Sequence, residues 1–389
     1  MCSSECPPLY SSICSSSCSS PAYSPMPAPD EHTLEHSRRQ TRCRGSGMCI
    51  KCVGNTTLVV LDQEDNTEHP RVNGGTLIRG AVLLENTENI KSVTLQIDGL
   101  LETLPLPASY MATPLVSITS ELYRNDDLSL SCPSNLSFSH PFPSKFKYRG
   151  ELHYLPPSLH MTFNNFHFVK CAYQITVTVV SARHRRASFL TKTNQVHLEL
   201  IHRPRSRPSQ PLLPNPSLVD TVKICPEEWD QCPRAVSIAS LPVLCDLFLP
   251  SIRVFCVEDQ IPFHLQLGTM DQVHTQSFTT SAPPIVKVHL IRKVSMDAGN
   301  RPAHRTIMLG EASLQRLASN NDSPATLNWQ GEVQCQNPES AVATFSCGEA
   351  LSVSDMLVVE ISPPHECPVH RTSFAFPIKL TTHRWDSYF

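Results

Sequence analysis

A tetrapeptide near the amino terminus has the composition of a docking motif for WW domains. Its residues are Pro7, Pro8, Leu9 and Tyr10, which match the pattern Pro-Pro-any-Tyr. Two consecutive prolines hold the backbone near the polyproline II conformation, so little conformational entropy is lost when the segment binds an aromatic groove. Tyr10 lies about one turn after Pro7, where a pocket can receive its ring. The sequence therefore predicts WW-domain binding here, and a chance match in a proline-rich segment is the alternative.

The same segment is rich in cysteines, which suggest two further kinds of chemistry. Cys49 and Cys52 have the spacing of zinc ligands, and Cys43 would supply a third ligand. A closed tetrahedral site needs a fourth ligand, and the segment has no second Cys-x-x-Cys pair, so we predict no metal site. The candidates for reversible palmitoylation are the serine-flanked cysteines Cys2, Cys6, Cys14 and Cys18.

Catalysis and nucleic-acid binding find no support in the sequence. The chain has no Gly-x-Ser-x-Gly or His-Glu-x-x-His motif, no glycine-rich phosphate loop and no dinucleotide-binding fingerprint. The formal net charge is -3, and no basic stripe with interleaved aromatic residues is present. We predict a protein without enzymatic activity, without a cofactor and without a nucleic-acid partner.

The elements that must position these motifs are short segments of alternating apolar and polar residues, which begin near residue 57. In VTLQIDGLLE (93–102) and AYQITVTVV (172–180) every second residue is apolar. In two later segments, His264 and His289 fall on the polar side of the same alternation. A period of two predicts strands with one buried and one solvated face. Only residues 309–319 are a candidate for one short helix.

This pattern predicts an all-β fold with two antiparallel immunoglobulin-like β-sandwich domains. Residues 1–55 are rich in Ser, Pro and Cys and are predicted to be a disordered tail. Residues 56–202 form the first predicted sandwich, and residues 241–385 form the second. The proline-rich stretch within 203–240 is interpreted as a linker or an exposed inter-domain loop.

The sequence also bears on the compartment in which the protein works. No apolar run approaches the roughly 18 residues that cross a bilayer, and the amino terminus has neither the basic nor the apolar part of a signal peptide. We therefore expect an intracellular protein whose cysteines are mostly reduced. The scattered cysteines are predicted to be small buried apolar residues: Cys132, Cys171, Cys245 and Cys256.

Several stretches, taken in order, resemble the arrestin superfamily, and in particular its α-arrestin branch. The first is GGTLIRGAVLLENTENIKSVTLQIDGLLE (74–102). The second is the segment 138–180, in which an apolar strand leads to LPPS and then to a strand that carries an aromatic residue. The third joins LFLPSIRVFCVEDQIPFHLQL (247–267) to PPIVKVHLIRKV (283–294), and ATFSCGEALSVSDMLVVEIS (343–362) and FAFPIKLTT (374–382) resemble the closing strands of the same domain. The resemblance covers about residues 57–384 and depends on the order and spacing of the whole set.

The resemblance implies the arrestin fold and a non-enzymatic adaptor. Adaptors of this family recognise membrane cargo such as transporters or receptors, and they recruit a WW-domain ubiquitin ligase of the HECT class through PPxY motifs. Pro7, Pro8, Leu9 and Tyr10 would bind that ligase, and the cargo would then be ubiquitylated and endocytosed or sorted. We expect such a protein to be cytoplasmic and to lie peripherally at the plasma membrane or endosomes.

A basic run follows directly after one predicted strand and contains Arg183, Arg185 and Arg186. In arrestin-like proteins, basic surfaces of the first domain meet phosphorylated or acidic cargo tails, or anionic lipid head groups. Arginine suits this role because its planar guanidinium group can bind a phosphate through two hydrogen bonds. The resemblance thus makes these three arginines candidate contacts, and a solvated loop without a partner is the alternative.

Two other functions remain open at this point. A trafficking or signalling scaffold with the same fold would not recruit a ligase. A β-sandwich adhesion or carbohydrate-binding protein would be expected to carry a secretory signal and paired cysteines.

Overall fold

In the computed structural model, the described residues form strands joined by turns and loops. They are residues 47–64, 67–104, 110–125, 131–162, 168–184, 187–212, 217, 220, 224–238, 241–269, 285–297, 302–317, 326–338, 342–362 and 372–387. All strand pairs among them are antiparallel except two short parallel pairs. The all-β prediction, with multiple antiparallel sheets, is confirmed.

The amino-terminal half of the described chain contains two large sheets and a hairpin. The first sheet joins, in spatial order, β1 (Gly47–Val53), β2 (Thr56–Gln63), β4 (Leu77–Leu84) and β7 (Asn135–Pro141). The second joins β3 (Arg71–Val72), β12 (Ala187–His202), β11 (Phe168–His184), β5 (Ile90–Thr103) and β6 (Met111–Arg124), with β10 (Leu159–Thr162) also beside β11. The separate hairpin pairs β8 (Lys145–Tyr148) with β9 (Glu151–Tyr154).

The carboxy-terminal half contains two more sheets, which follow a 3-10 turn at Pro226–Glu228. The third sheet joins β13 (Trp229–Ile238), β14 (Leu241–Pro250), β16 (Ile261–Thr269), β20 (Thr326–Val333) and β19 (Ser313–Leu317). The fourth joins β15 (Val254–Cys256), β23 (Thr372–Thr381), β22 (Leu351–Ser362), β17 (Ile285–Asp297) and β18 (Pro302–Glu311), with β21 (Phe345–Ser346) also beside β22.

Each pair of large sheets shares a hydrophobic core. Leu58 and Val82 of the first sheet and Ile97 of the second are fully buried in the first core. Phe263 of the third sheet and Leu357 of the fourth are fully buried in the second core. Sheets that share an apolar core in this way have the architecture of β-sandwiches. The finer prediction, two immunoglobulin-like domains with the arrestin fold, stays a prediction.

The predicted buried faces agree with the structure at most positions. The apolar residues of 93–102 on one face of β5 and those of 172–180 on one face of β11 are buried, whereas their polar neighbours are at least partly exposed, except Thr176. Cys132, Cys171, Cys245 and Cys256 are all buried, as predicted. Burial raises the pKa of these thiols, to about 11 for Cys132 and about 12 for Cys245, so they remain protonated at neutral pH.

The prediction of a disordered tail through residue 55 is wrong for its last part. β1 spans Gly47–Val53 and pairs with β2 through a two-residue loop, Gly54-Asn55. Gly54 has a φ of 57°, a left-handed conformation that glycine adopts without strain. A Gly-Asn dipeptide between two apolar segments is a recognisable hairpin signal. The Gly54-Asn55 dipeptide therefore indicates the β1–β2 hairpin, although the Ser, Pro and Cys content of residues 1–55 favours disorder.

Two further expectations need correction. The predicted linker 203–240 contains β13, an outer strand of the third sheet, which tolerates Pro233 because an edge strand needs fewer ladder hydrogen bonds. The short helix expected at 309–319 is instead the end of β18 followed by β19. Both segments gain strand structure from pairing with β14, β17 and β20, which are distant in the sequence.

His264 and His289 are buried, although the alternation placed them on a solvated face. The ring of His264 lies 5.3 Å from the ring of Trp229, on the neighbouring part of the third sheet. Nε2 of His289 lies 4.0 Å from a carboxylate oxygen of Glu360 on the adjacent strand. Other elements therefore cover part of the polar face in the carboxy-terminal half.

Candidate functional site: the groove beside edge strand β1

Strand β1 is the outermost strand of the first sheet, and one of its two sides has no strand partner within the described part of the chain. The loop Gly54-Asn55 makes Val53 and Thr56 a hydrogen-bonded pair, and such pairs alternate along an antiparallel ladder. The backbone N–H and C=O groups of Ile50 and Cys52 therefore point away from β2. These groups are available to an added strand.

A groove of about 780 Å³ lies next to this edge. One wall is formed by residues 48–51 of β1 and by the turn 67–69, and the other by the outward face of the second sheet. The outward side chains that line it come from three neighbouring strands: Asp98, Leu100 and Glu102 of β5, Lys170 and Gln174 of β11, and His197 and Glu199 of β12. The register places Gln174 opposite both Asp98 and Glu199, so these carboxylates share one row across the sheet.

The charges in the groove are predominantly negative. Its lining contains the carboxylates of Glu68, Asp98, Glu102 and Glu199 and the ammonium groups of only Lys51 and Lys170.

One of the two lysines is already engaged inside the groove. Nζ of Lys170 lies 3.7 Å from Oε2 of Glu102. Tyr110 donates a hydrogen bond to Oε1 of the same carboxylate, and this bond raises the pKa of the Tyr110 phenol. Asp98 accepts a hydrogen bond of 3.0 Å from Nε2 of Gln96, but no ion pair joins it to a cation within the described residues. Most of the groove's negative charge is thus left for a ligand.

The negative charge of its lining gives the groove the character of a binding site for a cationic ligand. Cys49 is its only lining thiol, and burial raises the pKa of that thiol above its ordinary value, although Lys51 opposes the shift. A protonated thiol is a poor nucleophile. Nδ1 of His69 is buried and has no hydrogen-bond partner among the described residues, and His69 also lines the groove.

The Cys-x-x-Cys spacing does not create a chelating pair on β1. Residues three apart on a strand point to opposite faces, and accordingly Cys49 is buried whereas Cys52 is exposed. Within the described residues, no group of three or more His, Cys, Asp or Glu side chains is arranged to hold a metal ion.

Most residues singled out from the sequence lie outside the described residues. This applies to the tetrapeptide predicted to bind WW domains, to the four candidate lipidation sites and to two of the three arginines: Pro7, Pro8, Leu9, Tyr10, Cys2, Cys6, Cys14, Cys18, Arg185 and Arg186. Arg183 belongs to β11 and lies nine residues beyond Gln174. At about 3.3 Å per residue, roughly 30 Å of strand separates it from the groove. The backbone of Arg183 is therefore distant from the groove along β11.

No local sequence pattern indicates the residues of the groove, because they are distant from one another along the chain. Glu68, Asp98, Glu102 and Glu199 belong to a turn and two different strands. The pairing of β5 with β11 and of β11 with β12 brings Asp98, Glu102 and Glu199 to one face, and Glu68 lines the opposite wall.

A scan against protein-family models and a search of curated proteins give no match to this chain. No helix in the described part of the chain is long and apolar enough to cross a membrane.

Proposed function

We propose that this chain is a non-enzymatic, arrestin-like adaptor. In this proposal it recruits a WW-domain ubiquitin ligase of the HECT class to a membrane cargo protein, which is then ubiquitylated and endocytosed or sorted. The three arrestin-like stretches and the antiparallel sheets with two apolar cores support the fold on which the proposal depends. Shared architecture alone does not define a function, whereas the groove beside β1 is a specific surface that a partner can bind.

The observation that carries the proposal is the side of β1 that faces the groove and has no strand partner among the described residues. Outward backbone groups on an edge strand can pair with an extended peptide, while the neighbouring groove receives alternate side chains of that peptide. An adaptor needs such a surface, because it must recognise a segment of another protein without changing it chemically. Three strands of the second sheet form the floor of the groove, which makes the surface largely preformed.

The charges of the groove select the kind of segment that fits. Asp98 and Glu199 lie in one cross-strand row and carry no cationic partner among the described residues. Lysine or arginine side chains of a bound strand would lie at two-residue intervals and could reach this row. We therefore assign an extended, basic segment of the cargo to the groove. The basic run near Arg183 would serve acidic or phosphorylated groups at the other end of the sheet.

Ligase recruitment is assigned to Pro7, Pro8 and Tyr10, and a direct binding experiment tests it. The full-length chain and its Tyr10→Ala variant are titrated with WW domains of HECT-class ligases by isothermal titration calorimetry. We expect micromolar binding by the unmodified chain and its loss in the variant, because the tyrosine pocket would be empty. A Tyr23→Ala variant serves as the control, since Tyr23 is the nearest tyrosine that lacks two preceding prolines.

The other outcomes also have a clear meaning. Equal binding by the unmodified chain and the Tyr10→Ala variant, or no binding by either, would rule out ligase recruitment through this motif. The scaffold without a ligase would then become the leading function for the same fold.

A further inference from the structure

The hairpin of β8 and β9 carries a surface that the adaptor proposal does not use. Its two strands are joined by Arg149 and Gly150, whose φ angles are 47° and 94°. Positive φ at both loop positions is typical of the type I′ turn, whose twist matches that of the flanking strands. The hairpin is thus a well-defined element rather than an irregular loop.

The inner face of the hairpin attaches it to the rest of the molecule. Phe146 is buried in the first core, and Tyr148 packs against that core. The ring of His153 packs so closely against Gly348 that a Cβ atom there would lie 2.9 Å from the ring. At the base of the hairpin, the backbone N–H of Leu155 donates to the carbonyl of Ser144 over 3.0 Å. These contacts hold the hairpin in a fixed orientation.

The outer face presents only four side chains, two of them cationic and two apolar. The register pairs Lys145 with Tyr154 and Lys147 with Leu152, and paired residues point to the same face. Leu152 is 69% exposed and Tyr154 is 68% exposed, and both lysines are exposed. The ammonium group of Lys145 lies 4.8 Å from the centre of the Tyr154 ring. Neither lysine forms an ion pair with a carboxylate in the described part of the chain.

We propose that this outer face binds the surface of an anionic lipid bilayer. Tyrosine and lysine are the residues that favour the boundary between head groups and acyl chains, because each combines an apolar body with a polar end. Leu152 and Tyr154 enter the boundary region, while Lys145 and Lys147 contact anionic head groups. The two cross-strand pairs place both ammonium groups beside the two exposed apolar side chains on one face, which complements the anionic head groups and the acyl chains of a bilayer.

The consequence for the protein is a defined orientation at the membrane. A fixed hairpin that contacts lipid would hold the adjoining sheets close to the bilayer. The inference does not depend on ligase recruitment or on the groove beside β1, because it uses none of their residues.

Co-sedimentation with lipid vesicles tests the inference on the full-length chain. Vesicles of phosphatidylcholine alone are compared with vesicles that contain about one-quarter phosphatidylserine. We expect binding to the anionic vesicles only. Substitution of Lys145→Gln together with Lys147→Gln should lower the apparent vesicle affinity by about tenfold or more. Leu152→Ser together with Tyr154→Ser should lower it by a similar factor, because the side chains no longer enter the boundary region.

Matched control variants test whether vesicle binding depends on the hairpin surface or on any exposed lysine or apolar side chain. Ile224→Ser removes an apolar side chain that is 66% exposed elsewhere, and Lys287→Gln with Lys379→Gln removes two exposed lysines of the fourth sheet. These controls should keep the affinity of the unmodified chain. The inference is overturned if the unmodified chain does not bind anionic vesicles, or if the hairpin variants bind them as well as the controls do. Hairpin-dependent binding of a soluble acidic phosphopeptide without vesicle binding would also overturn it and would indicate a protein partner.

Discussion

At the scale of single residues, Arg292 and Asp355 form an ion pair that is almost completely buried between β17 and β22. Nε and Nη2 of Arg292 donate to the two carboxylate oxygens of Asp355 over 2.8 Å and 3.0 Å. The hydroxyl of Thr344 also donates to Asp355, over 2.6 Å, and accepts a hydrogen bond from the backbone N–H of Leu380. Both carboxylate oxygens of Asp355 thus accept hydrogen bonds, which offsets part of the cost of burying the charged pair.

Removal of one partner should therefore destabilise the protein strongly. We expect Asp355→Ala to lower the free energy of unfolding by about 3–5 kcal/mol, because the guanidinium of Arg292 is left buried without its counter-ion. Urea denaturation followed by tryptophan fluorescence measures the loss. The matched control is Glu349→Ala, which breaks the exposed pair with Arg149 and should change stability by at most about 1 kcal/mol. Similar losses for both variants would contradict the prediction.

His202, at the end of β12, is a buried titratable side chain with aromatic neighbours. Its ring lies 5.2 Å from that of Phe142 and 5.3 Å from that of Tyr173, and its Nδ1 lies 3.2 Å from the carbonyl oxygen of Val72. Burial lowers the pKa of His202, although hydrogen bonds to the backbone at Val72 and Leu155 oppose the shift. Burial also raises the pKa of Tyr173, so this phenol stays neutral across the same pH range.

The lowered pKa of His202 predicts a loss of stability in mild acid. As the pH falls below the ordinary histidine pKa of about 6.5, the unfolded chain binds a proton at this position before the folded chain does. The stability present above that pH is therefore progressively lost below it. Urea denaturation at pH values between about 7.5 and 5 should show a flatter pH dependence for His202→Gln than for the unmodified chain. Parallel curves for the two proteins would disprove the assignment.

At the scale of elements, β1 offers a test that separates partner binding from folding. The backbone N–H of Ile50 faces the free edge, whereas that of Lys51 faces β2. Ile50→Pro should therefore remove a hydrogen bond to an added strand and leave the ladder with β2 intact. Lys51→Pro should disrupt that ladder and lower stability.

The probe is a peptide of about seven residues that alternates arginine with valine, matching the length and charge of the edge. Fluorescence anisotropy should show binding to the unmodified chain and a loss of at least about fivefold in affinity for Ile50→Pro. Asp98→Asn together with Glu199→Gln should also weaken binding, and high salt should do the same. If these variants bind the peptide like the unmodified chain, the groove is not its site.

At the scale of the whole molecule, the two halves of the described chain share part of one core. The first core lies mainly between the first and second sheets, but it also includes residues from the carboxy-terminal half: Val294, Met296, Cys347, Ala350, Leu351 and Val353. The thiol of Cys347 donates to the carbonyl of Tyr154 over 3.6 Å, and Arg305 donates to the carbonyl of Thr162. All described residues belong to one compact unit, Arg44–Phe389. We therefore expect the halves to unfold together.

The tryptophans provide a selective probe of this coupling. All three lie in the carboxy-terminal half: Trp229, Trp329 and Trp385. Leu95 is 1% exposed and lies in the first core, on β5. Leu95→Ala should cost about 2–5 kcal/mol and should lower the urea midpoint reported by tryptophan fluorescence, although the mutation lies in the other half. An unchanged fluorescence midpoint, with a shifted midpoint in tyrosine circular dichroism, would show that the halves unfold independently.

The sequence by itself determined the strand character of most segments and the side on which each strand is buried. Alternation of apolar and polar residues is a local property, and a strand with this pattern can bury only one face without exposing apolar side chains. This is why the inward residues of β5 and β11 could be predicted, whereas the burial of the four scattered cysteines was predicted from their apolar character. The tetrapeptide that is predicted to bind WW domains is local in the same sense, because the predicted docking needs no tertiary structure.

The tertiary structure decided which strands are neighbours, and that in turn decided what the surfaces can bind. The position of β1 at the edge of the first sheet, among the described strands, depends on how the strands pair. The row that contains Asp98 and Glu199 depends on the register of three strands. His264 departs from its local pattern because Trp229 covers it. Strand register and layer packing depend on pairings between distant residues, which period-two alternation leaves undetermined.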